Sequence, residues 1–541
     1  MKRITALLGC FCLLVLFSCK KDVVNQPTPD FSQSAANSLA VTTVNGVQVN
    51  SDTIPPSNAV DVRTYGAKGD GYTDDTKAIQ NAINAQSVLV FKKGTYIINA
   101  TLNMRSNMKI YGTGGAAIKA GNAMSGKLLV NGRCIFINSC TNVNIINMTF
   151  LQSDKSYSLG TWGNSCIYIM NSTKNTIVYN KFNYHQPYQH LGIEAVWVAG
   201  TGSNYNYILK NLVNTMGIEY GENGAIGTTV QGNTINNSFS TALSADGNVA
   251  TAYCKNMVVT NNIINNAGYN GINDWGYVDG TVIRGNIITG TGKSPTEYAM
   301  GEGIQAVGVN TIVAGNTIID AQAEYIECAG NDKLIDSNKI IDYSLKAEGI
   351  VVNTIPALAA KNARRFTTVL DHNSITGCLE SVEIIGSVTP SVVVKNNTFI
   401  NPRNTGVNVN ANVPTYSLTI TGNTFNFTTP SAGMRRAMVS YAATKTNTQK
   451  IYLGNNTFNY ATSANGGAGR ELAIATATNY VTVDGNIVNG NGIKSKTGAQ
   501  VAAMDNAGVT YTGYTITNNR FNNCLYWLTG FLTILKTGNN F

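Results

Sequence analysis

Acidic residues recur at one position in a set of short segments that share a pattern. The sequence reads GIEAV around Glu194, GIEYG around Glu219 and ALSAD ending at Asp246. If each segment is a strand whose second residue points inward, the third and fifth residues face solvent. Glu194, Glu219 and Asp246 are therefore predicted to share one face of a sheet.

Carboxyl groups on adjacent strands can perform acid–base chemistry on a glycosidic bond. Parallel strands lie about 4.8 Å apart, and one carboxylate so close to another raises its pKa. A separation of about 5–5.5 Å, expected for Glu194 and Glu219, favours a retaining reaction, and about 6.5–9.5 Å, expected for Glu219 and Asp246, favours inversion. The sequence leaves that choice open. A solvated acidic row that prevents sheet aggregation is the alternative interpretation.

The outward row continues along the chain and supplies candidate substrate-binding residues. By alternation it contains Glu194, Glu219, Ser244, Asn273, Gln305, Glu327, Val351 and Glu383. Aromatic rings can stack on sugars, and imidazole can transfer protons near neutral pH. Asp274 points inward by strict alternation unless a bulge turns it. The residues predicted to bind substrate are Tyr188, His190, Asp274, Trp275, Arg284, Glu302 and Glu327.

A six-residue pattern recurs from Ile177 to the C-terminal region: an apolar residue, two residues, Asn, one residue and an apolar residue. Examples are VQGNTI, VTNNII, IRGNII and VKNNTF. These segments are β-branched and alternate with period two, which indicates strands. The shortest Asn-to-Asn spacings of 22 to 24 residues fit one coil of a β-solenoid. The repeated residues are Asn180, Asn211, Asn233, Asn262, Asn286, Asn316, Asn338, Asn373, Asn397, Asn423, Asn456, Asn486 and Asn519.

We interpret these repeated Asn residues as structural. Each can adopt a left-handed conformation at a bend at low cost. Its amide can also hydrogen-bond the equivalent Asn of the next coil, which satisfies polar groups close to the core.

One amphipathic helix is predicted before the repeats, at about residues 74–85. Asp74 and Asp75 supply N-cap residues and negative charge, and Ile79, Ala82 and Ile83 share one face. A solenoid has an apolar end that must be covered. We interpret the helix as a lid on the first coil.

The N-terminal residues have the features of an export signal and a tether. Two cations precede a short apolar run, and the sequence LFSC ending at Cys19 resembles a bacterial lipoprotein box with Cys19 as the lipidation site. An ordinary cleaved signal peptide is the alternative. The expected organisation is a signal peptide at 1–18, a flexible tether at 19–57 and one β-helix domain at 58–541.

The composition argues against nucleic acid and metal as partners. Charged residues make up 12% of the 541-residue chain, and its net charge of +9 is not clustered. No stretch combines basic and aromatic residues as nucleic-acid binders do. The cysteines form no CxxC motif, so no metal site is expected.

The stretch YGAKGDGYTDDTKAIQNAIN, followed by VLVFKKGTYIIN and IYGTGG, resembles the N-terminal signature of the pectate-lyase-like superfamily. This superfamily includes polygalacturonase-related proteins, phage tailspikes and alginate epimerases. The resemblance implies an all-β fold, a right-handed parallel β-helix (solenoid) with an N-terminal capping helix. It implies no particular reaction, because the polygalacturonase motifs NTD, DD, GHG and RIK do not occur together and the Asp-Pro-His-Glu motif of the epimerases is absent.

Three functions remain open. The first is a cell-surface glycoside hydrolase or transglycosidase that acts on a polysaccharide with Glu194, Glu219 and Asp246 and without a cofactor. The second is a polysaccharide lyase, which needs cations such as Arg284 or Lys293 to neutralise a uronate and sometimes Ca²⁺. The third is a non-catalytic glycan-binding β-helix. Each fits an exported bacterial lipoprotein of the outer membrane, at the cell surface or facing the periplasm; sugar, linkage and oligomeric state stay open.

Overall fold

The computed structural model describes most of the chain from residue 53 onward. The described residues are 53–125, 133–151, 164–183, 193–294, 301–329, 333–354, 366–386, 390–411, 417–428, 436–441, 450–460, 471–477, 480–490, 501–505, 513–523 and 535–538. The expected signal peptide, Cys19 and residues 19–52 of the expected tether lie outside them.

The chain forms a right-handed parallel β-helix, as the sequence predicts. Successive coils contribute strands to three long sheets, and each strand pairs in parallel with its equivalent in the next coil. Short strands separated by tight bends give this arrangement because every coil buries its apolar side chains on those of its neighbours.

The first two sheets form two sides of each coil. The first sheet consists of Val60–Asp61, Val88–Phe91, Lys109–Gly112, Asn144–Ile146, Thr176–Val178, Tyr207–Leu209, Thr229–Gln231, Val258–Thr260, Val282–Arg284, Thr311–Ala314, Lys333–Asp336, Phe366–Asp371, Pro390–Lys395, Ser417–Thr421, Lys450–Gly454, Val481–Asp484, Thr515–Thr517 and Leu535–Thr537. The second consists of Asp70–Asp74, Thr95–Ile98, Ala117–Ala120, Thr149–Leu151, Lys181–Asn183, Leu212–Asn214, Thr234–Asn236, Ile263–Asn265, Ile287–Thr289, Thr317–Ile319, Lys339–Ile341, Ser374–Thr376, Thr398–Ile400, Thr424–Phe427, Thr457–Tyr460, Ile487–Asn489 and Arg520–Asn522.

The third sheet carries the predicted acidic row. It consists of Leu102–Asn103, Arg133–Asn138, Asn164–Met170, Ile193–Ala199, Gly217–Glu222, Leu243–Gly247, Ile272–Gly276, Ile304–Ala306, Ile326–Ala329, Ile350–Thr354, Glu380–Gly386, Thr405–Ala411, Arg436–Tyr441, Glu471–Ala477 and Val501–Asp505. A further short pair joins Cys254–Lys255 to Val278–Asp279.

The interior consists of rows of identical or similar apolar side chains. In the second sheet, six fully buried isoleucines from consecutive coils face one another in register: Ile235, Ile264, Ile288, Ile318, Ile340 and Ile375. Each such side chain contributes roughly 1.5–3 kcal/mol of burial free energy. The core is therefore a continuous column that runs the length of the described coils.

The predicted capping helix spans Thr76–Ala85, two residues shorter at its start than expected. Its buried face carries Ile79, Ala82 and Ile83, as predicted. Asp75 does not cap it through its side chain, which instead accepts the backbone N–H groups of the preceding loop at 2.6 and 2.9 Å.

The helix also closes the edge of the third sheet. Gln80 Oε1 accepts the N–H of Asn103 at 2.9 Å, and Gln80 Nε2 donates to the Asn103 carbonyl at 3.1 Å. These bonds satisfy backbone groups that an open edge strand would expose. The other described helices are Val62–Tyr65, a 3₁₀ turn, and Asn122–Ser125. None of the described helices combines the length and apolar character that crossing a bilayer requires.

The repeated Asn residues form a buried ladder with a regular hydrogen-bond pattern. The backbone N–H of Asn262 donates to Asn286 Oδ1 at 2.9 Å, and Asn286 Nδ2 donates to the Val259 carbonyl at 2.9 Å. The same N–H to Oδ1 bond joins all the predicted members from Asn180 to Asn519.

The left-handed conformation belongs to the preceding residue, which corrects the expectation for the Asn itself. Tyr179, Lys210, Asn261 and His372 precede ladder residues and have φ between 51° and 56°. Several bends use Gly at this place, as at Gly285. The ladder Asn is thus selected for its buried amide rather than for its backbone conformation.

Replacing a ladder residue, as in Asn286→Ala, is expected to lower the free energy of unfolding by about 2–4 kcal/mol. The change leaves the Asn262 N–H and the Val259 carbonyl buried without partners, and each such group costs roughly 1–3 kcal/mol. Chemical denaturation measures the difference.

The matched control is Asn265→Ala in the preceding coil. Asn265 is half-buried, and its amide donates only to the Asn236 side chain. A loss in Asn265→Ala as large as that in Asn286→Ala would contradict a special role for the buried ladder.

Candidate active site

The third sheet presents the outward row that the sequence predicts from Glu219 onward. Register partners follow one another in the order Glu219, Ser244, Asn273, Gln305, Glu327, Val351 and Glu383. This part of the row is confirmed, because period-two alternation holds in each strand between its inward apolar residues.

Glu194 does not lie opposite Glu219, which corrects the expected register. Glu194 pairs with Gly217, and the extra residue Ala195 forms a β-bulge. Trp197 therefore takes the place opposite Glu219. A Cβ on Gly217 would collide with the Thr241 backbone carbonyl and would lie 2.6 Å from Oε2 of Glu194, so this position requires glycine.

A second bulge redirects Glu222. The register of strand Gly217–Glu222 shifts at Tyr220, whose ring is fully buried and whose hydroxyl donates to the Asn273 carbonyl at 3.0 Å. Because of the extra residue, Glu222 pairs with Asp246 on the outward face. Strict alternation would turn Glu222 inward, so the sequence pattern does not predict its position in the cluster.

A chain of hydrogen bonds joins the acidic residues across three strands. Ser244 Oγ donates to Glu219 Oε2, and the Asp246 N–H donates to Glu219 Oε1 at 3.2 Å. Asn273 Nδ2 donates to Asp246 Oδ1 at 3.2 Å. Both oxygens of Glu219 are thus engaged, whereas Oε2 of Glu194 is buried with no partner in the described part of the chain.

Burial and mutual repulsion raise the proton affinity of these carboxyl groups unequally. The pKa of Glu194 rises to about 8 through burial and the charge of Asp246. The pKa of Asp246 rises to about 6 through burial and the charges of Glu222 and Asp274. Burial and the Asp246 charge also hold the pKa of Glu219 well above its usual value. Near pH 7, Glu194 therefore carries a proton while Asp246 is largely ionised.

An aromatic row leads up to the acidic residues from the N-terminal side. The rings of Phe136 and Tyr168 stack with centroids 5.7 Å apart, and Trp197 meets Tyr168 edge-on at 6.2 Å. The guanidinium of Arg133 lies 4.3 Å from both stacked ring centroids. Trp197 Nε1 donates to Glu222 Oε2 at 2.8 Å, which joins the aromatic row to the carboxyl cluster.

A second acidic row, here called the acidic ladder, lies at or just before the start of the third-sheet strand in four consecutive coils. Its members are Glu302, Glu324, Glu348 and Glu380, and backbone bonds place them in register. Burial and the charges of Glu324 and Glu327 raise the pKa of Glu302 to about 7. Of these four residues, only Glu302 is among the predicted substrate-binding residues. The signal for the others is a Glu two residues before the first apolar strand residue, in GEGI, AEYI, AEGI and LESV.

Asp274 lies inside the coil, so the structure does not place it where a glycan can reach. Its side chain is completely buried and accepts the hydroxyls of Thr281 at 2.8 Å and Thr311 at 2.9 Å. Burial raises its pKa, and the charge of the buried Lys333 opposes that rise. Strict alternation holds here, and no bulge turns the side chain outward.

The remaining residues that the sequence predicts to bind substrate do not all lie on the same sheet. Trp275 is 41% exposed and lies opposite Asp246 in the third sheet. Glu327 accepts the Gln305 amide at 2.7 Å in the outward row. Arg284 belongs to the first sheet and is not brought to the carboxyl cluster. Tyr188 and His190 lie outside the described residues.

One group of residues has metal-ligand spacing within the described stretches. Ligand atoms of Asp336, Asp371 and His372 lie within 4.8 Å of one another. They belong to the first sheet and the bend that follows it, away from the acidic cluster. Lys395 Nζ already lies 3.1 Å from Asp371 Oδ2 and competes for that carboxylate.

Comparisons with known proteins find short stretches of sequence similarity. A probable glucan endo-1,3-beta-glucosidase of Arthroderma benhamiae is 46% identical over 54 residues, 9% of this chain and 6% of that protein. The preneck appendage protein of Bacillus phage PZA is 42% identical over 55 residues, 10% of this chain and 6% of that protein. The chain therefore spans only a small part of the curated relatives it matches.

A solved structure and a family model extend the comparison. The catalytic unit of a thermostable family 87 α-1,3-glucanase from Streptomyces thermodiastaticus is 16% identical, covers 66% of each chain and has a TM-score of 0.44. Residues 59–293 match the family model described as rhamnogalacturonase A/epimerase, pectate lyase-like. Over these residues the chain is similar to pectate-lyase-like proteins, as the N-terminal signature indicates, and the described strands in this range form a parallel β-helix.

Proposed function

We propose that the outward face of the third sheet cleaves glycosidic bonds of a polysaccharide, by hydrolysis or transglycosylation. The observation that carries the proposal is the pair of carboxyl groups with pKa values of about 8 at Glu194 and about 6 at Asp246 in one cluster. Glycoside cleavage needs one protonated acid and one ionised carboxylate near neutral pH. The carbohydrate-active names of the matched family and of one relative support a glycan substrate.

Glu194 is the best candidate for the general acid. It retains a proton at neutral pH, and its buried Oε2 atom has no partner among the described residues. An unengaged protonated carboxyl can deliver its proton to the departing glycosidic oxygen. Glu219 is less suited, because both its oxygens already accept hydrogen bonds from Ser244 and Asp246.

Asp246 is the best candidate for the base or nucleophile. It is ionised at neutral pH and oriented by the Asn273 amide. Glu219 fixes the strand position of Asp246 through the Asp246 N–H. Whether Asp246 activates water or attacks the sugar carbon follows from the stereochemistry of the product, which nuclear magnetic resonance of the fresh product reads directly.

Aromatic side chains on both sides of the carboxyl cluster would hold the sugar rings. Trp197 lies on the N-terminal side, and Trp275 is exposed opposite Asp246. A glycan that runs along the coil axis would therefore pass an aromatic ring, the carboxyl cluster and a second aromatic ring in turn.

The chemistry of the face disfavours the lyase alternative. β-Elimination from a uronate requires positive charge to neutralise the substrate carboxylate. The third-sheet strands from Ile193 to Gly386 contain no Lys or Arg. Absorbance of unsaturated uronate products distinguishes lyase from hydrolase activity, and binding without any product would favour a non-catalytic role.

We also propose that the protein is exported and anchored by lipid at Cys19, because the LFSC sequence resembles a lipoprotein box. This placement would bring the β-helix to polysaccharide outside the cytoplasm. Metabolic labelling with a fatty-acid analogue, compared between the native chain and Cys19→Ala, tests it.

Removing either proposed catalytic carboxyl is expected to abolish most activity. Glu194→Gln and Asp246→Asn should each lower kcat by about 10²–10⁴-fold, because proton transfer or nucleophilic participation is lost. Reducing-end release from a polysaccharide panel measures this.

Glu383→Gln is the matched control, since Glu383 occupies the same face several coils away. Wild-type rates in Glu194→Gln or Asp246→Asn would contradict the proposed roles. A loss in Glu383→Gln as large as theirs would mean that removing any carboxyl of this face is harmful.

The pH profile of kcat/KM is expected to be bell-shaped, with limbs near pH 6 and pH 8. Asp246 must be ionised and Glu194 protonated, so activity falls on either side. Glu222→Gln removes a negative neighbour of Asp246 and should shift the acid limb to lower pH. An unchanged or raised acid limb in Glu222→Gln would rule out Asp246 as the group that limits activity at low pH.

A further inference from the structure

The acidic ladder of Glu302, Glu324, Glu348 and Glu380 continues the substrate face beyond the carboxyl cluster. The Gly303 N–H donates to the Glu324 carbonyl at 3.0 Å, Tyr325 to Glu348 at 2.9 Å, and Gly349 to Glu380 at 2.7 Å. Because these bonds are equivalent, the ladder glutamates occupy the same position on consecutive coils, whose backbones lie about 4.8 Å apart. Glu327 and Glu383 of the outward row lie nearby, and repulsion among these acids contributes to the raised pKa of Glu302 and Glu383.

Within the described residues, no Lys, Arg or His forms an ion pair with these glutamates. Within the described part of the chain, neutral amides bond two of these glutamates: Asn408 Nδ2 donates to Glu380 Oε2 at 2.6 Å and Gln305 Nε2 to Glu327 Oε2 at 2.7 Å. Arg133 is the only basic residue in the third-sheet strands between Leu102 and Gly386. The negative charge of the face is therefore not neutralised by its own strands, although the whole chain is basic.

Two carboxyl oxygens of the ladder are buried and unsatisfied. Oε2 of Glu302 and Oε2 of Glu324 have no hydrogen-bond partner among the described residues, and Glu302 is only 2% exposed. Acids that merely prevent sheet aggregation are solvated, and Glu302 is not. Buried unsatisfied acceptors require an explanation, and a ligand that donates hydrogen bonds supplies one.

We propose that the acidic ladder binds ammonium groups of an amino-sugar polysaccharide, so that the substrate of this face is cationic rather than neutral or uronic. This inference rests on the proposed glycan-cleaving function and names its substrate class. An ammonium group supplies three donors and a positive charge to adjacent carboxylates. A glycan along the coil axis would meet a new ladder carboxyl at every coil, whereas a polyuronate would be repelled at each.

The test measures binding in the inactive Asp246→Asn background of the full chain. The ligands are a β-1,4-linked glucosamine hexamer, the N-acetylglucosamine hexamer with the same linkage, and a galacturonate hexamer. Calorimetry at low salt should show the glucosamine hexamer binding about tenfold tighter or more than its acetylated counterpart, and the galacturonate hexamer weakest. Equal or tighter binding of the neutral or uronic hexamer, or no binding of the glucosamine hexamer, would overturn the inference.

Variants that remove carboxylate charge test whether the acidic ladder causes the preference for the glucosamine hexamer. Glu324→Gln with Glu348→Gln should reduce the preference for the glucosamine hexamer to about twofold or less. Asp336→Asn, which removes one carboxylate of the first sheet, should leave the preference intact. If the double variant does not fold, as judged by circular dichroism, Glu348→Gln alone should still halve the preference or more. An unchanged preference in the folded ladder variants would contradict the assignment.

The binding and cleavage measurements can each contradict one proposal without contradicting the other. One outcome is that the native chain binds the glucosamine hexamer preferentially and yet cleaves no glycan. That result would contradict the proposed reaction and leave the ladder as a cation-binding surface. Cleavage of neutral or uronic glycans without that preference would remove the ladder assignment and leave the reaction.

Discussion

Buried asparagine amides and parallel backbone bonds hold each coil of this protein in register with the next. A ladder Asn joins its own coil to the following one through its N–H and to an earlier one through its Nδ2. Because these bonds are buried, a one-residue shift in strand register would leave several polar groups without hydrogen-bond partners. It would also turn every side chain of the strand to the opposite face. This constraint converts residues about 25 positions apart in sequence into neighbours, which is the basis of the carboxyl cluster.

The candidate site arises where that regularity is broken. The bulge at Ala195 shifts Glu194 away from the main row, and the bulge at Tyr220 turns Glu222 outward to meet Asp246. The two bulges lie in adjacent strands, close to the carboxyl groups. The cluster therefore combines acids from two rows in one place, where their repulsion and burial separate their pKa values. Gly217 leaves the space that this crowding requires.

The sequence predicted the regular part of the molecule well and the irregular part poorly. The Asn repeat fixed the coil register, and the outward row from Glu219 to Glu383 followed from alternation. Alternation cannot anticipate an inserted residue, so Glu194 was expected opposite Glu219 and Glu222 was missed. Residue preference predicts the left-handed conformation at the ladder Asn itself, because Asn tolerates it, but burial of the Asn amide is the stronger requirement. The acidic ladder does have a sequence pattern, a Glu two residues before the first apolar residue of the strand. This pattern can be recognised only after the strands have been aligned.

The in-register stacking of the third sheet, on which the carboxyl cluster depends, is tested most directly by engineered disulfides. Ser244 and Asn273 are register partners on the outward face, and parallel neighbours about 4.8 Å apart fall within disulfide range. Ser244→Cys with Asn273→Cys should cross-link on mild oxidation, detected by mass spectrometry of the linked peptides. Ser244→Cys with Asp274→Cys should not, because residue 274 points inward. Cross-linking of the second pair and not the first would contradict the register and, with it, the proposed carboxyl cluster.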